Sequence, residues 1–210
     1  MSTTRRGCGG LSLVELIVFI VLVSVAVAGV LGALNFANRA STDPMIQKQA
    51  LAIAEALLEE AQLQPFTFCD PDDANAATAT DAKLNSGVVA PRVGCANTVE
   101  AMGAEPGGAP PGILAEARFD SGTTSAFDNV NDYNGFSMVG ATNVAGGAGP
   151  PELSAYAASV TVAPQTLGGI ALDANGQPQS LLITVTVTGP GNTTVRLDGY
   201  RIRYAPNALP

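Results

Sequence analysis

Two short segments carry closely spaced oxygen ligands, which is the side-chain chemistry that calcium binding requires. The first segment holds Asp70, Asp72, Asp73 and Asn75, and the second holds Asp128, Asn129, Asn131, Asp132 and Asn134. Neither has the spacing or the closing glutamate of an EF-hand, and Asx side chains also form turns by bonding their own backbone. We therefore expect turns in both segments and no bound cofactor, with Asp70, Asp72, Asp128 and Asp132 as the calcium candidates.

The chain lacks residues on which the common catalytic mechanisms depend. Histidine is absent, which removes the commonest general base and the Ser-His-Asp arrangement. Asp70, Asp72 and Asp73 resemble the paired carboxylates of glycoside hydrolysis only in type, because they lie in one loop and no tryptophan offers a sugar platform. We predict that the protein is not an enzyme.

The charge balance argues against nucleic acid as a partner. Eighteen acidic and 10 basic residues give a formal net charge of −8. A chain of this charge does not neutralise phosphates, and the arginines nearest to a cluster, Arg196, Arg201 and Arg203, are offset by Asp198.

Two of the three cysteines point to a disulfide. Cys8 precedes a long apolar run, whereas Cys69 and Cys95 follow it. Two cysteines on the far side of a membrane span meet an oxidising compartment, so we expect the Cys69–Cys95 bond. Two separate buried thiols, or a metal site built on two thiolates, are the alternatives.

Glu15 stands alone at the start of an apolar segment. No charged residue occurs from Leu16 to Asn38, and Leu11 to Leu34 spans roughly 35 Å as a helix, enough to cross a bilayer core. Arg5 and Arg6 ahead of the run favour a cytoplasmic N-terminus. A secretory signal has a shorter apolar region with its small residues after it, whereas Gly10 lies before this run. Considered without its neighbours, Glu15 would be interpreted as an acidic residue at a helix start, where the helix macrodipole favours negative charge.

The string Gly10-Leu11-Ser12-Leu13-Val14-Glu15 resembles the signal sequence of type IV prepilins and type II secretion pseudopilins. Leu11 departs mildly from the family, which usually has Phe or Met there. The resemblance implies that a prepilin peptidase/methyltransferase cuts after Gly10 and methylates Leu11. It also implies that Glu15 pairs with the N-terminal amine of a neighbouring subunit during assembly.

Other segments resemble a minor prepilin of the mannose-sensitive haemagglutinin (MSHA) pilus, of the D type: PFTFCDPDDANAATA with a later cysteine, FDNVNDYNGF and GYRIRYAPN. The implied partners are other pilin subunits and an inner-membrane assembly platform. The implied location is the bacterial inner membrane before assembly, and the pilus, periplasm and cell surface afterwards. A type II secretion pseudopilin and a single-pass, membrane-anchored periplasmic binding domain remain alternatives.

The elements that position these residues form an α+β, pilin-like fold. We divide the chain into a leader (1–10), a membrane-spanning or filament-core helix (11–38), its amphipathic continuation (39–64) and an extracytoplasmic β-rich head (65–210). The steps between Ile46, Ala50, Ile53, Leu57 and Ala61 predict the amphipathic part, and Asp43-Pro44 predicts a kink or brief break before it.

The head has clearer strand patterns in its last third than in the turn-rich stretch before it. A strand is predicted at Leu114–Phe119, and alternation predicts three more in 154–164, 180–189 and 193–204, separated by turns at Asn175-Gly176 and at 189–192. The alternation shifts at Asp198-Gly199, which predicts a bulge there. The three strands should form an antiparallel meander that covers one face of the amphipathic helix.

Overall fold

A computed structural model describes residues 12–107, 114–142, 146–147, 149–170 and 172–209, without the side chains of 36–43. The described residues form two compact units that meet between Met45 and Ile46. The fold is α+β, with one long N-terminal helix and a small antiparallel sheet. This layout is compatible with a pilin.

The helix α1 runs from Leu13 to Leu63 and contains Pro44 in its interior. Its backbone is helical through 41–43, so Asp43 does not begin a second helix. Of the predicted kink or brief break near Pro44, the break is therefore wrong, and the kink stays a prediction. From Ile46 onward the predicted amphipathic pattern is confirmed. Ala50, Leu57 and Ala61 are at most 1 % exposed, and Ile46 and Ile53 pack beside them. Pro65 follows the last turn, as expected for a residue that cannot continue a helix.

Two short strands, β1 (Ala115–Ala117) and β2 (Thr124–Ala126), precede the main sheet of the second unit in the chain. The main sheet contains β3 (Ser137–Val139), β4 (Ala157–Pro164), β5 (Ser180–Gly189) and β6 (Thr193–Ile202). Its strand order is β3-β4-β5-β6, and it is antiparallel throughout. The predicted meander is therefore confirmed as β4-β5-β6, and β3 is an edge strand that the sequence pattern did not reveal.

The core lies between one face of this sheet and the part of α1 after Ile46. Leu181, Ile183, Val185 and Val187 alternate along β5 and are all completely buried. Val160 of β4 is equally buried. Because β5 is the central strand of the meander, its apolar face can be covered along its whole length.

No bulge interrupts β6, so that prediction is wrong. Its register with β5 is continuous, with Ile183 opposite Gly199 and Thr184 opposite Asp198. Gly199 therefore faces α1, where an added Cβ would come within 2.9 Å of Leu58 Cδ1 and closer still to the Gln62 amide. The glycine occupies an inward position because the helix leaves no room for a side chain. Tyr200 consequently points outward and is 43 % exposed.

The turn-rich stretch after the helix contains a second, smaller sheet. Strands β1 (Ala115–Ala117) and β2 (Thr124–Ala126) pair in parallel, so the β content of the head is not entirely antiparallel. Strand β1 lies within the predicted range Leu114–Phe119. A short 3-10 helix, Val130–Tyr133, follows β2 and inserts Val130 and Tyr133 into the core.

Candidate functional site

The described part of the first unit is an apolar helical segment whose side chains no other described residue covers. Leu13–Asn35 has a mean hydropathy of 2.9 and is long and apolar enough to cross a membrane, a property that signal sequences share. Its large apolar side chains from Leu13 to Leu34 are between 43 % and 73 % exposed. A surface of this kind is not stable against water and marks contact with lipid or with other protein.

Glu15 lies in the first turn of α1 and is exposed. Among the described residues, no side chain forms an ion pair or hydrogen bond with it. The predicted cleavage and methylation positions, Gly10 and Leu11, lie outside the described residues. The carboxylate therefore stands exposed near the start of the apolar surface.

The predicted disulfide between Cys69 and Cys95 is present, with the two Cα atoms 5.5 Å apart. Both cysteines are fully buried and form a small second core with Phe68, Ala76 and Ala79. The bond closes a segment with few large apolar side chains, which burial alone would hold weakly.

The calcium candidates from the two Asx-rich segments come together in space. Ligand oxygens of Asp70, Asp72 and Asp128 lie within 4.8 Å of one another, and so do those of Glu116, Asp128 and Asp132. Asp128 belongs to both groups. Glu100 and Glu105 complete what we call the acidic cluster, defined by Asp70, Asp72, Glu100, Glu105, Glu116, Asp128 and Asp132.

Different elements supply the members of the acidic cluster. Asp70 and Asp72 come from the loop after α1 and Glu116 from β1. Asp128 precedes the N-cap of the 3-10 helix, and Asp132 lies within that helix. In that helix, the Asn129 and Asp132 side chains form a capping box, which fixes the Asp132 carboxylate against the backbone N–H groups of Asp128 and Asn129 at 3.1 and 2.7 Å.

Burial and mutual repulsion raise the pKa values of Asp128, Asp132, Glu100 and Glu105. Burial, followed by the charges of Glu116 and Asp70, raises the pKa of Asp128 to about 7. Burial and the adjacent Glu116 raise the pKa of Asp132 to about 8. Burial and the nearby Asp70 raise the pKa of Glu105 to about 7, and that of Glu100 is also raised, by burial and then by Asp132. At neutral pH these groups must share protons or be balanced by a cation.

Asp73 belongs to the same segment but has a different role. Its carboxylate accepts hydrogen bonds from four backbone N–H groups, those of Asn75, Ala96, Asn97 and Thr98, at 2.7 to 2.9 Å. Burial raises its pKa, but these bonds outweigh burial and leave the pKa lowered. Asp73 therefore anchors the loop around Cys95 as an anion.

The Asx turns expected in the first segment are present. The Asp70 side chain accepts a hydrogen bond from the N–H of Asp72, and the Asp73 side chain accepts one from the N–H of Asn75.

Sequence reasoning treated the two Asx-rich segments separately and missed Glu100, Glu105 and Glu116. A sequence signal did exist, because these glutamates occur in a head with few basic residues to pair with them.

The chain showed no significant match when compared with protein-family models, with curated proteins and with solved structures. Its resemblance to prepilins therefore rests on its own residues.

Proposed function

We propose that this protein is a minor type IV pilin subunit of the MSHA type. In this proposal a prepilin peptidase/methyltransferase cuts after Gly10 and methylates Leu11 in the bacterial inner membrane. An assembly platform then inserts the subunit among other pilins, and the head is displayed outside the cell. The first half of α1 is the membrane anchor before assembly and the filament core afterwards.

The observation that carries the proposal is the uncovered apolar half of α1 with one carboxylate in its first turn. The same helix continues into the second unit, where Leu57 and Ala61 form part of the core. The helix passes from the apolar segment into this core without a break in its backbone. This continuity supports a helix that stays on the mature protein and exchanges lipid for neighbouring helices.

Glu15 gives the proposal its specificity. A carboxylate at the edge of an apolar helix is costly in a packed filament unless it is paired. By resemblance to prepilins, the partner is the methylated N-terminal amine at Leu11 of a neighbouring subunit, which is a cation at neutral pH. The pairing would fix the axial register between subunits.

The test is assembly of a Glu15→Gln variant in cells that make type IV pili. We expect normal membrane insertion and cleavage but loss of the subunit from sheared pili, because the amine loses its charged partner. Glu59→Gln is the matched control, since it removes an exposed carboxylate from the second half of the same helix. Incorporation of Glu15→Gln at the control level would contradict the assembly role.

A pseudopilin and a permanently anchored binding domain give other results in the same experiment. A pseudopilin would appear in the filament only when a type II secretion system is supplied. An anchored domain would stay in the membrane fraction with its leader intact. Either result would replace the proposed function.

A further inference from the structure

The acidic cluster concentrates negative charge in one part of the head. Its two groups of three carboxylates share Asp128, and the oxygens within each group lie no more than 4.8 Å apart. None of the main influences on the pKa values of Asp128, Asp132 or Glu116 is a basic side chain of the described residues. The guanidinium nearest in sequence, that of Arg118, is held by both oxygens of Glu60 instead.

The second, independent observation is an unpartnered oxygen on Asp132. This residue is only 1 % exposed, and its Oδ2 accepts the backbone bonds of the capping box. Its Oδ1 is buried and has no hydrogen-bond donor among the described residues. The carboxyl groups of Glu116 and Asp128 lie close to Asp132, with one ligand oxygen from each of the three within 4.8 Å of the others. Oδ1 of Asp128 is buried and lacks a donor in the same way.

A buried acceptor without a donor is costly, and a proton, a water molecule or a cation can satisfy it. A metal ion satisfies several such oxygens at once and also removes their repulsion. We propose that the acidic cluster binds Ca²⁺, with Glu116, Asp128 and Asp132 as ligands and with Asp70 and Asp72 completing the site around the shared Asp128.

The donor set favours calcium among the divalent cations. Every candidate ligand is a carboxylate, and the absence of histidine from the chain leaves no nitrogen donor of the kind that zinc or copper prefers. Calcium takes six to eight oxygens at about 2.3–2.6 Å, so opposite ligands lie about 5 Å apart, a separation that accommodates both groups. Magnesium needs a smaller, octahedral arrangement that keeps several waters.

Shared protons are the competing explanation for the same geometry. Two carboxyl groups in contact, such as Glu116 with Asp132, are stable when one of them is protonated. The two explanations differ in one respect: neutral amide side chains at these positions replace the proton at little cost, but they remove negative charges on which calcium affinity depends.

The experiment measures thermal unfolding of the full chain in detergent, with and without calcium. We expect about 1 mM Ca²⁺ to raise the unfolding midpoint by about 3–6 °C relative to EGTA at pH 7.5, for a dissociation constant near 0.1 mM. Equilibrium dialysis should find at least one Ca²⁺ per chain. No shift and no bound ion would overturn the proposal, and so would an equal shift with the same concentration of Mg²⁺.

The variant Glu116→Gln/Asp128→Asn separates a ligand role from a structural one. In EGTA we expect a cooperative midpoint at or above that of the wild type, because repulsion is relieved, but no response to calcium. Glu152→Gln, an exposed carboxylate outside the cluster, should keep the full response. If the double variant responds to calcium as the wild type does, the assignment is wrong. If it does not fold, the dialysis stoichiometry of the wild type alone decides the proposal.

Discussion

Glu60 and Arg118 join the helix to the loop-rich side of the head, and we predict that replacing them has unequal costs. Arg118 Nε and Nη2 donate to Glu60 Oε1 and Oε2 at 2.7 and 2.6 Å. The Arg118 side chain is 7 % exposed, whereas that of Glu60 is 26 % exposed. Replacing Glu60 would therefore leave a buried cation, whereas replacing Arg118 would leave a partly hydrated anion.

Glu60→Gln should be the more damaging change. Removing one partner of a buried ion pair costs about 3–5 kcal/mol. The remaining guanidinium keeps its bond to Thr142 Oγ1 at 3.1 Å and its position over the rings of Phe119 and Phe136. Because these contacts and the glutamine oxygen compensate in part, we expect a loss of about 2–3 kcal/mol.

Arg118→Met should cost less, about 1–2 kcal/mol. Methionine replaces much of the buried aliphatic stem, and the Glu60 carboxylate keeps the Tyr133 hydroxyl, which donates at 2.8 Å. Water reaches the rest of the carboxylate. The double variant should lose less than the sum of the two single losses, with a coupling of about 1–2 kcal/mol.

The assay is urea unfolding of the oxidised full chain in detergent, followed by tyrosine fluorescence. All four tyrosines lie after residue 132, so the signal reports the head. Arg196→Met is the control, because its pair with Asp198 is exposed and should contribute nothing measurable. The reasoning fails if Arg118→Met is as costly as Glu60→Gln, or if the two losses add.

The same pair gives the head a pH dependence of known sign. Burial raises the pKa of Glu60, but the bonds from Arg118 and Tyr133 outweigh it and hold the pKa below the ordinary 4.5. A carboxyl group whose folded pKa is lowered stabilises the protein above its unfolded pKa, and this contribution is lost as the pH falls through the folded value. The difference in stability between wild type and Glu60→Gln should therefore shrink below pH 4.5 and stay constant above it.

The remaining predictions concern processing, the disulfide and the contact between helix and sheet. Gly10→Val should leave an uncut precursor on immunoblots of cells with active prepilin peptidase, and normal maturation would exclude this cleavage site. The unreduced, denatured mature chain should titrate no free thiol at Cys69 or Cys95, and Cys69→Ser should lower the free energy of unfolding by about 3.5 kcal/mol, whereas two free thiols would disprove the bond. Gly199→Val should cost about 1–3 kcal/mol in urea unfolding because its side chain meets Leu58, and wild-type stability would refute the close approach.

The sequence pattern correctly predicted strand β5 and the buried face of α1, because both depend on the spacing of apolar residues along one segment. Alternation gave β5, because Ile183 and Val185 are buried while their neighbours are not. The helical spacing from Ile46 to Ala61 gave the buried face of α1 for the same reason. Gly199 misled the prediction because a change of alternation has two causes: an extra residue in the strand, or a residue without a side chain where another element approaches closely.

The acidic cluster was beyond prediction as a whole. Asp70 and Asp128 are adjacent only because the loop after α1 and the 3-10 helix pack together. The Asx turns are local and were predictable, whereas the contact of Asp132 with Glu116 depends on tertiary packing. The apolar surface of α1 and the position of Glu15 in its first turn could be predicted, because the apolar run and Glu15 are contiguous in the sequence.

The most direct test of the proposed function is the intact mass of the protein extracted from membranes of cells with an active prepilin peptidase. The account predicts a chain that begins at Leu11, carries one added methyl group and contains the intact disulfide. Fragmentation should place the methyl group on the Leu11 amine. A mass that corresponds to the uncut chain, or to a chain that begins after the apolar segment, would contradict the account.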